Sequence, residues 1–237
     1  MRRFAVVTLI LAALACLPAA SAREPRSRAA AAPVETHALL EAEAAGLVTV
    51  RYIPNDSRSA QIVVSNRSAR PLTLRLPETF AGVPVLAQLG QQGGGQAGFA
   101  AGGIGAQFSL PPERTRVVKV TTVCLEHGKP EPSPRRPYKL VELESFSSDP
   151  RLEELMASIG RGEVTQKVAQ AAAWHIANGL TWEQLAAETI DHAGGDPDEP
   201  FFTAVELRAA AQVVDVVTRR AAPAAGSSST GSLSTSR

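Results

Sequence analysis

Cysteine is nearly absent: the chain has two in 237 residues, Cys16 and Cys124. Cys16 lies in an apolar N-terminal run, so the rest of the chain holds one thiol and no partner for an internal disulfide. Stability must then come from a packed core. Net charge is also scarce. The 24 basic and 23 acidic residues leave a formal charge of +1. A chain this balanced has no net field to attract nucleic acid or anionic lipid, and pairs such as Arg135-Arg136 are too small to reverse that. No nucleic-acid partner is expected. Beyond the N-terminal run, no apolar stretch approaches the ~20 residues that a membrane-spanning helix needs.

What is present begins with MRRFAVVTLILAALACLPAASAR. Arg2 and Arg3 precede an apolar run from Phe4 to Leu17, and Ala20-Ser21-Ala22 supplies the small residues that signal peptidase requires. This order predicts a secretory signal peptide over 1–22, and with it an exported, periplasmic or extracellular protein. Lipidation of Cys16 is the second reading; there the residue before Leu14-Ala15 is Ala13, where an aliphatic side chain is usual. Cleavage after Ala22 removes Arg2 and Arg3 and moves the charge from +1 to −1. Residues 23–33 (REPRSRAAAAP) and 222–237 (APAAGSSSTGSLSTSR) are predicted to be a disordered leader and tail, because small polar segments cannot offset ordering entropy.

Between them the hydrophobic period changes once. From Leu47 to Leu143 it is two. Val48, Val50 and Tyr52 alternate with polar positions, as do Ile62 and Val64. Leu72-Thr73-Leu74-Arg75-Leu76 alternates strictly, and Val83-Pro84-Val85-Leu86 is a poorer strand because Pro84 cannot donate to a ladder. Phe108 and Leu110 end another strand, the longest runs from Arg116 to Leu125, and Tyr138 to Leu143 closes the series. About seven short strands predict an antiparallel β-sandwich over 34–148. The stretch VVSNRSARPLTLRLP (63–77) resembles the strand–turn–strand signature of bacterial immunoglobulin-like domains: an apolar pair, Asn66, a small polar turn, then Pro71-Leu72 opening a strand. The whole chain resembles uncharacterised exported bacterial proteins that join such a sandwich to a short helical region. The resemblance implies a fold and no activity.

From Asp149 the period is helical. Asp149-Pro150 is an N-cap followed by a first helical residue, and Gly160 is placed to end that helix. Val164, Val168, Ala171 and His175 share an arc of a second helix that stops at Gly179. Thr181-x-x-Gln184 and Thr203-x-x-Glu206 have the form of capping boxes. The expected fold class is therefore α+β: an antiparallel immunoglobulin-like β-sandwich followed by about four short helices over 149–221. The Pro-rich connector 129–137 leaves little slack, so the helices should dock on the sandwich, with Trp174, Phe201, Phe202 and Trp182 as contacts.

Few residues can carry chemistry. Cys124 is followed at once by Glu126 and His127. A thiolate nucleophile needs a neighbouring base, and strand alternation turns His127 away from the Cys124 face. A buried, inert cysteine is the expected state. Cys124, His127, His175 and His192 are the soft or borderline metal donors, and no two have the short spacing of a zinc motif. No metal or cofactor is expected. The acidic turn DHAGGDPDEP (191–200) lacks the alternating ligands of an EF-hand. Gly93, Gly95 and Gly98 formally make Gly-x-Gly-x-x-Gly, but Gly102, Gly103 and Gly105 break the helix that a dinucleotide site requires. Trp174 and Trp182 are packing anchors, or a binding platform. The sequence therefore leads to a non-enzymatic binding or scaffolding protein of the bacterial cell envelope, with a protein or envelope component as partner. The alternative is a small thiol- or metal-dependent hydrolase using Cys124 with His127 or His175.

Overall fold

The computed structural model describes residues 35–85, 96–99, 106–190, 192 and 197–222. The expected signal peptide, Cys16, the leader, most of the glycine-rich stretch 90–106, part of the acidic turn and the tail beyond 222 lie outside the described residues. The fold is α+β, with mainly antiparallel sheets and, among the described residues, four helices in the C-terminal part.

Six strands pair in a ring. β2 (Val48–Pro54) pairs along its length with β3 (Ser59–Asn66), and β3 with β8 (Thr115–Cys124). β8 pairs with β6 (Gln96–Phe99), β6 with β5 (Thr79–Pro84), and β5 with β9 (Tyr138–Glu142). All are antiparallel, and β9 returns to β2 through one register pair, Tyr52↔Tyr138, so the sheet closes. A second sheet has the order β1 (Thr36–Ala38), β4 (Leu72–Arg75), β7 (Gln107–Leu110). Its β1 runs parallel to β4, and neither β1 nor the short helix α1 (Leu39–Ala44) behind it has an alternating pattern that the sequence reveals. The weak Val83–Leu86 strand is found as β5, starting four residues earlier and ending on Pro84, where a missing N–H costs least.

Both sheets contribute to one apolar cluster that includes Ile62, Val64, Leu72, Leu74, Phe80 and Leu140. Tyr52 is 3% exposed there, edge-on to Phe80 at 6.1 Å and to Tyr138 at 6.2 Å. Its ring lies over Gly82, where an added Cβ would collide with the Tyr52 ring. Asn66, in the stretch 63–77, organises the crossing from the closed sheet to the second one. Its Nδ2 donates to the carbonyls of Arg70, Leu110 and Pro111, and its Oδ1 accepts from the Ser68 N–H and hydroxyl. A buried amide with every hydrogen-bonding site filled fixes a turn that no regular ladder could hold.

The helices are α2 (Pro150–Gly160), α3 (Gln166–Asn178), α4 (Trp182–Ala187) and α5 (Ala204–Ala221). Asp149 caps α2 by accepting from the Arg151 N–H at 2.9 Å. Both expected capping boxes are formed, at Thr181/Gln184 and Thr203/Glu206. α3 ends at Gly179, with φ 67°; α2 runs through Gly160, and Gly162, with φ 74°, makes the left-handed turn instead. Ala169, Ala171, Ala172 and Ala173 of α3 are fully buried, which brings α2, α5 and β8 close to its backbone. A second apolar cluster joins Leu155, Met156, Leu185 and Phe202 of this region to Ala81, Val123, Leu125 and Leu143 of the strand region. β8 is thus buried on both sides at its C-terminal end: Val120 faces the first cluster and Val123 the second. Arg161 pairs with Glu154 (2.6 Å) and Glu163 (2.8 Å), and Arg220 with Glu163 (2.7 Å) and Glu154 (3.1 Å), which ties the end of α5 to α2. Among the described residues no helix is long and apolar enough to cross a membrane.

Candidate functional site

Cys124 ends β8 and is 8% exposed. Its backbone does not continue the ladder on one side; the side chain of Gln170 from α3 takes the place of a strand. Gln170 Oε1 accepts from the Cys124 N–H and its Nε2 donates to the Cys124 carbonyl, both at 2.8 Å. The thiol donates to the Glu126 carbonyl at 3.4 Å. Burial pushes the Cys124 thiol up, and the charges of Glu131 and Glu126 push the same way. Hydrogen bonding at the Glu126 backbone pulls only part of the way back. The protonated thiol is the resting form at neutral pH.

His127 meets Trp174 rather than extending away into solvent. Its ring is edge-on to Trp174 at 4.7 Å, its Nε2 lies 3.0 Å from Glu188 Oε1, and its N–H donates to Asn178 Oδ1 at 3.3 Å. Trp174 also packs on Phe201 (5.4 Å) and Phe202 (5.7 Å). Lys167 closes this nest: its Nζ sits 3.8 Å from the Phe201 ring centre and donates to the Phe201 carbonyl at 2.7 Å, and burial lowers its pKa. Cys124, Trp174 and His127 are therefore brought together around one indole.

His175 and Trp182 form a second pair. The rings stack at 4.3 Å with 17° between their planes. His175 Nδ1 lies 2.7 Å from the Leu180 carbonyl. A carbonyl only accepts, so this nitrogen carries the proton. The imidazole thereby caps the turn between α3 and α4, and Trp182 is half-buried. His192 Nε2 is 3.9 Å from Glu199, beyond hydrogen-bond reach. Among the described residues no three His, Cys, Asp or Glu side chains converge so as to hold a metal ion, so the four soft donors do not form one site.

The sequence gives no sign of a cleft of about 630 Å³ where α1, the β4–β5 connection, the end of β9 and α2 meet. Glu41, Glu78, Glu142, Glu144 and Glu153 line it, with Arg75 as the one basic group among the described residues. Burial raises the pKa of Glu142, and the charges of Glu144 and Glu41 add to the shift. Four separate segments supply these carboxylates. The visible trace in sequence is Glu142-x-Glu144 at the end of a strand.

No family model matches the chain, and neither a curated protein nor a solved structure matches it.

Proposed function

We infer that the chain is an exported, non-enzymatic binding or scaffolding protein of the bacterial cell envelope, with a protein or envelope component as partner. One observation carries the reading. The side chains best suited to catalysis are each engaged in internal contacts that build the fold: Cys124 under Gln170 and Trp174, His127 against Trp174 and Glu188, and His175 on Trp182 and the Leu180 carbonyl. Export rests on the order of Arg2/Arg3, the apolar run and Ala20-Ser21-Ala22, with a lipid anchor at Cys16 as the other way to the envelope. An immunoglobulin-like build, and the resemblance to exported proteins of that build, is supported by two sheets sharing one apolar cluster and by the Asn66 turn that passes between them. Trp182, half-buried and stacked on His175, offers its ring to a ligand, while Trp174 is buried against His127, Phe201 and Phe202.

The competing reading is a thiol- or metal-dependent hydrolase using Cys124 with His127 or His175. The His127–Glu188 pair favours it, because a carboxylate on an imidazole is how such bases are oriented. Thiol labelling of the full chain separates the two. The binding reading expects Cys124 to react slowly with a disulfide reagent in the native state and fast after denaturation. It also expects Cys124→Ala to cost on the order of 1 kcal/mol and no more. Rapid native labelling with an apparent pKa below that of a free thiol gives the assignment to the hydrolase.

A further inference from the structure

Helix α5 packs one face on α2 and α3, where Ala210 and Val217 are buried. A second face of the same helix points outward and is apolar. Val205 on it is 66% exposed, more than any other large apolar side chain among the described residues. Val205, Ala209, Gln212 and Val216 recur at intervals of four, three and four, so they form one stripe along the helix. That spacing is the seam of a helix pair rather than a scatter of surface residues. Beside the stripe runs a groove of about 390 Å³, walled by Val213 and Val216 of α5, by Val164 and by Val168 of α3.

The charges next to the stripe select its occupant. Arg208 and Asp215 flank it on one side, and both are exposed. They stand seven residues apart, about 10.5 Å along the axis, too far to pair within one helix. The ion pairs among the described residues involve neither of them. A second α5 laid antiparallel along the stripe completes both features at once. With Val205 set opposite Val216 of the second copy, Ala209 falls opposite Gln212, and Arg208 comes beside Asp215. The two-fold axis then repeats every one of these contacts. A parallel pairing fails on charge, because Arg219 continues the stripe seven residues beyond Gln212 and would face its own copy.

We propose that the chain pairs with a second copy of itself through an antiparallel α5–α5 seam, with two Val205–Val216 layers flanked by two Arg208–Asp215 ion pairs. The pairing is separate from the binding role above and holds for either reading of Cys124. The 18 residues of α5 span about 27 Å, so the seam is short and the dimer forms reversibly with concentration.

Sedimentation equilibrium of the full chain over a range of concentrations reads the association. A monomer–dimer equilibrium that weakens with salt is expected. Arg208→Asp and Asp215→Arg, each alone, turn both ion pairs into like-charge contacts and should weaken the dimer about tenfold. Mixing these two variants restores opposite charges at both contacts, so the mixture should associate about tenfold more tightly than either variant alone. The double variant Arg208→Asp/Asp215→Arg should match the native chain within about threefold. Val205→Ser should also weaken the dimer about tenfold. All three positions are exposed in the single chain, so the urea midpoint at low concentration should not move. A chain that stays monomeric at millimolar concentration overturns the proposal and leaves this face to a different protein. A dimer that is indifferent to both single reversals, or a mixture no tighter than its components, overturns it by placing the contact on another surface.

Discussion

Replacing Gln170 tests how the helices are joined to the sheet. Its amide is 2% exposed and supplies both hydrogen bonds to the Cys124 backbone at 2.8 Å. Gln170→Met keeps the length and volume of the side chain and removes both partners. The Cys124 N–H and carbonyl would then lose these two bonds in a buried setting, at about 1–3 kcal/mol each. Methionine recovers part of this through apolar contact with the surrounding cluster, so a net loss of about 2–4 kcal/mol is expected. For a domain of ordinary stability, about 5–15 kcal/mol, that is a large fraction. Urea unfolding followed by tryptophan fluorescence reads it directly, since Trp174 lies one turn further along α3. A loss below about 0.5 kcal/mol would refute the strand-substitute reasoning. Gln170→Glu sharpens the test. At neutral pH the introduced carboxylate accepts the N–H but cannot donate to the carbonyl, and it is charged in a buried site. Burial raises its folded pKa above the unfolded value of about 4.3. Its favourable contribution is therefore present below that value and lost as pH rises through the folded pKa. Gln170→Glu should be less stable than Gln170→Met at pH 7 and overtake it on acidification, when the protonated acid can donate and accept as the amide does.

Gly82→Ala should cost about 1–3 kcal/mol, because the new methyl meets a Tyr52 ring that Phe80 and Tyr138 hold in place. In a double-mutant cycle with Tyr52→Leu most of that cost should vanish; additive losses would show that the close approach is not its source. Glu163 is held at about 2, against an ordinary 4.5, first by the Arg161 hydrogen bond and then by that of Arg220. Its contribution is present above pH 4.5 and lost as pH falls through about 2. The gap in melting temperature between the native protein and Glu163→Gln should thus be full at neutral pH and close across that window. A gap independent of pH would place the effect elsewhere.

Much of the architecture is legible in local chemistry. The caps at Asp149, Thr181 and Thr203 are made by neighbours two or three residues away, and all three form as the sequence predicts. The change from strand to helix period also falls where the elements change, between Leu143 and Pro150. Long-range partners are not legible in this way. Gln170 reads as one more polar helix residue until β8 is placed beside it. Asn66 is visible as part of a turn signature, yet two of its acceptors, Leu110 and Pro111, belong to a distant segment. His127 is turned off the Cys124 face by strand alternation, but β8 ends at Cys124 and the chain bends, which carries the imidazole to Trp174. The acidic cleft has no sequence pattern because folding, not spacing, collects its carboxylates.

The single rung between Tyr52 and Tyr138 has a consequence for the order of assembly. β9 is the last of the six ring strands in the chain, and it supplies the second neighbour of both β5 and β2. Leu143 follows it immediately and belongs to the cluster that the helices bury. Joining β2 to β9 closes a long loop, which is costly in entropy and slow. Until it happens, α2 to α5 have only part of the surface against which their apolar faces are sheltered. A chain emerging N-terminus first therefore carries five of the six ring strands before Tyr138 arrives, and the edges of β5 and β2 stay open until β9 pairs with both.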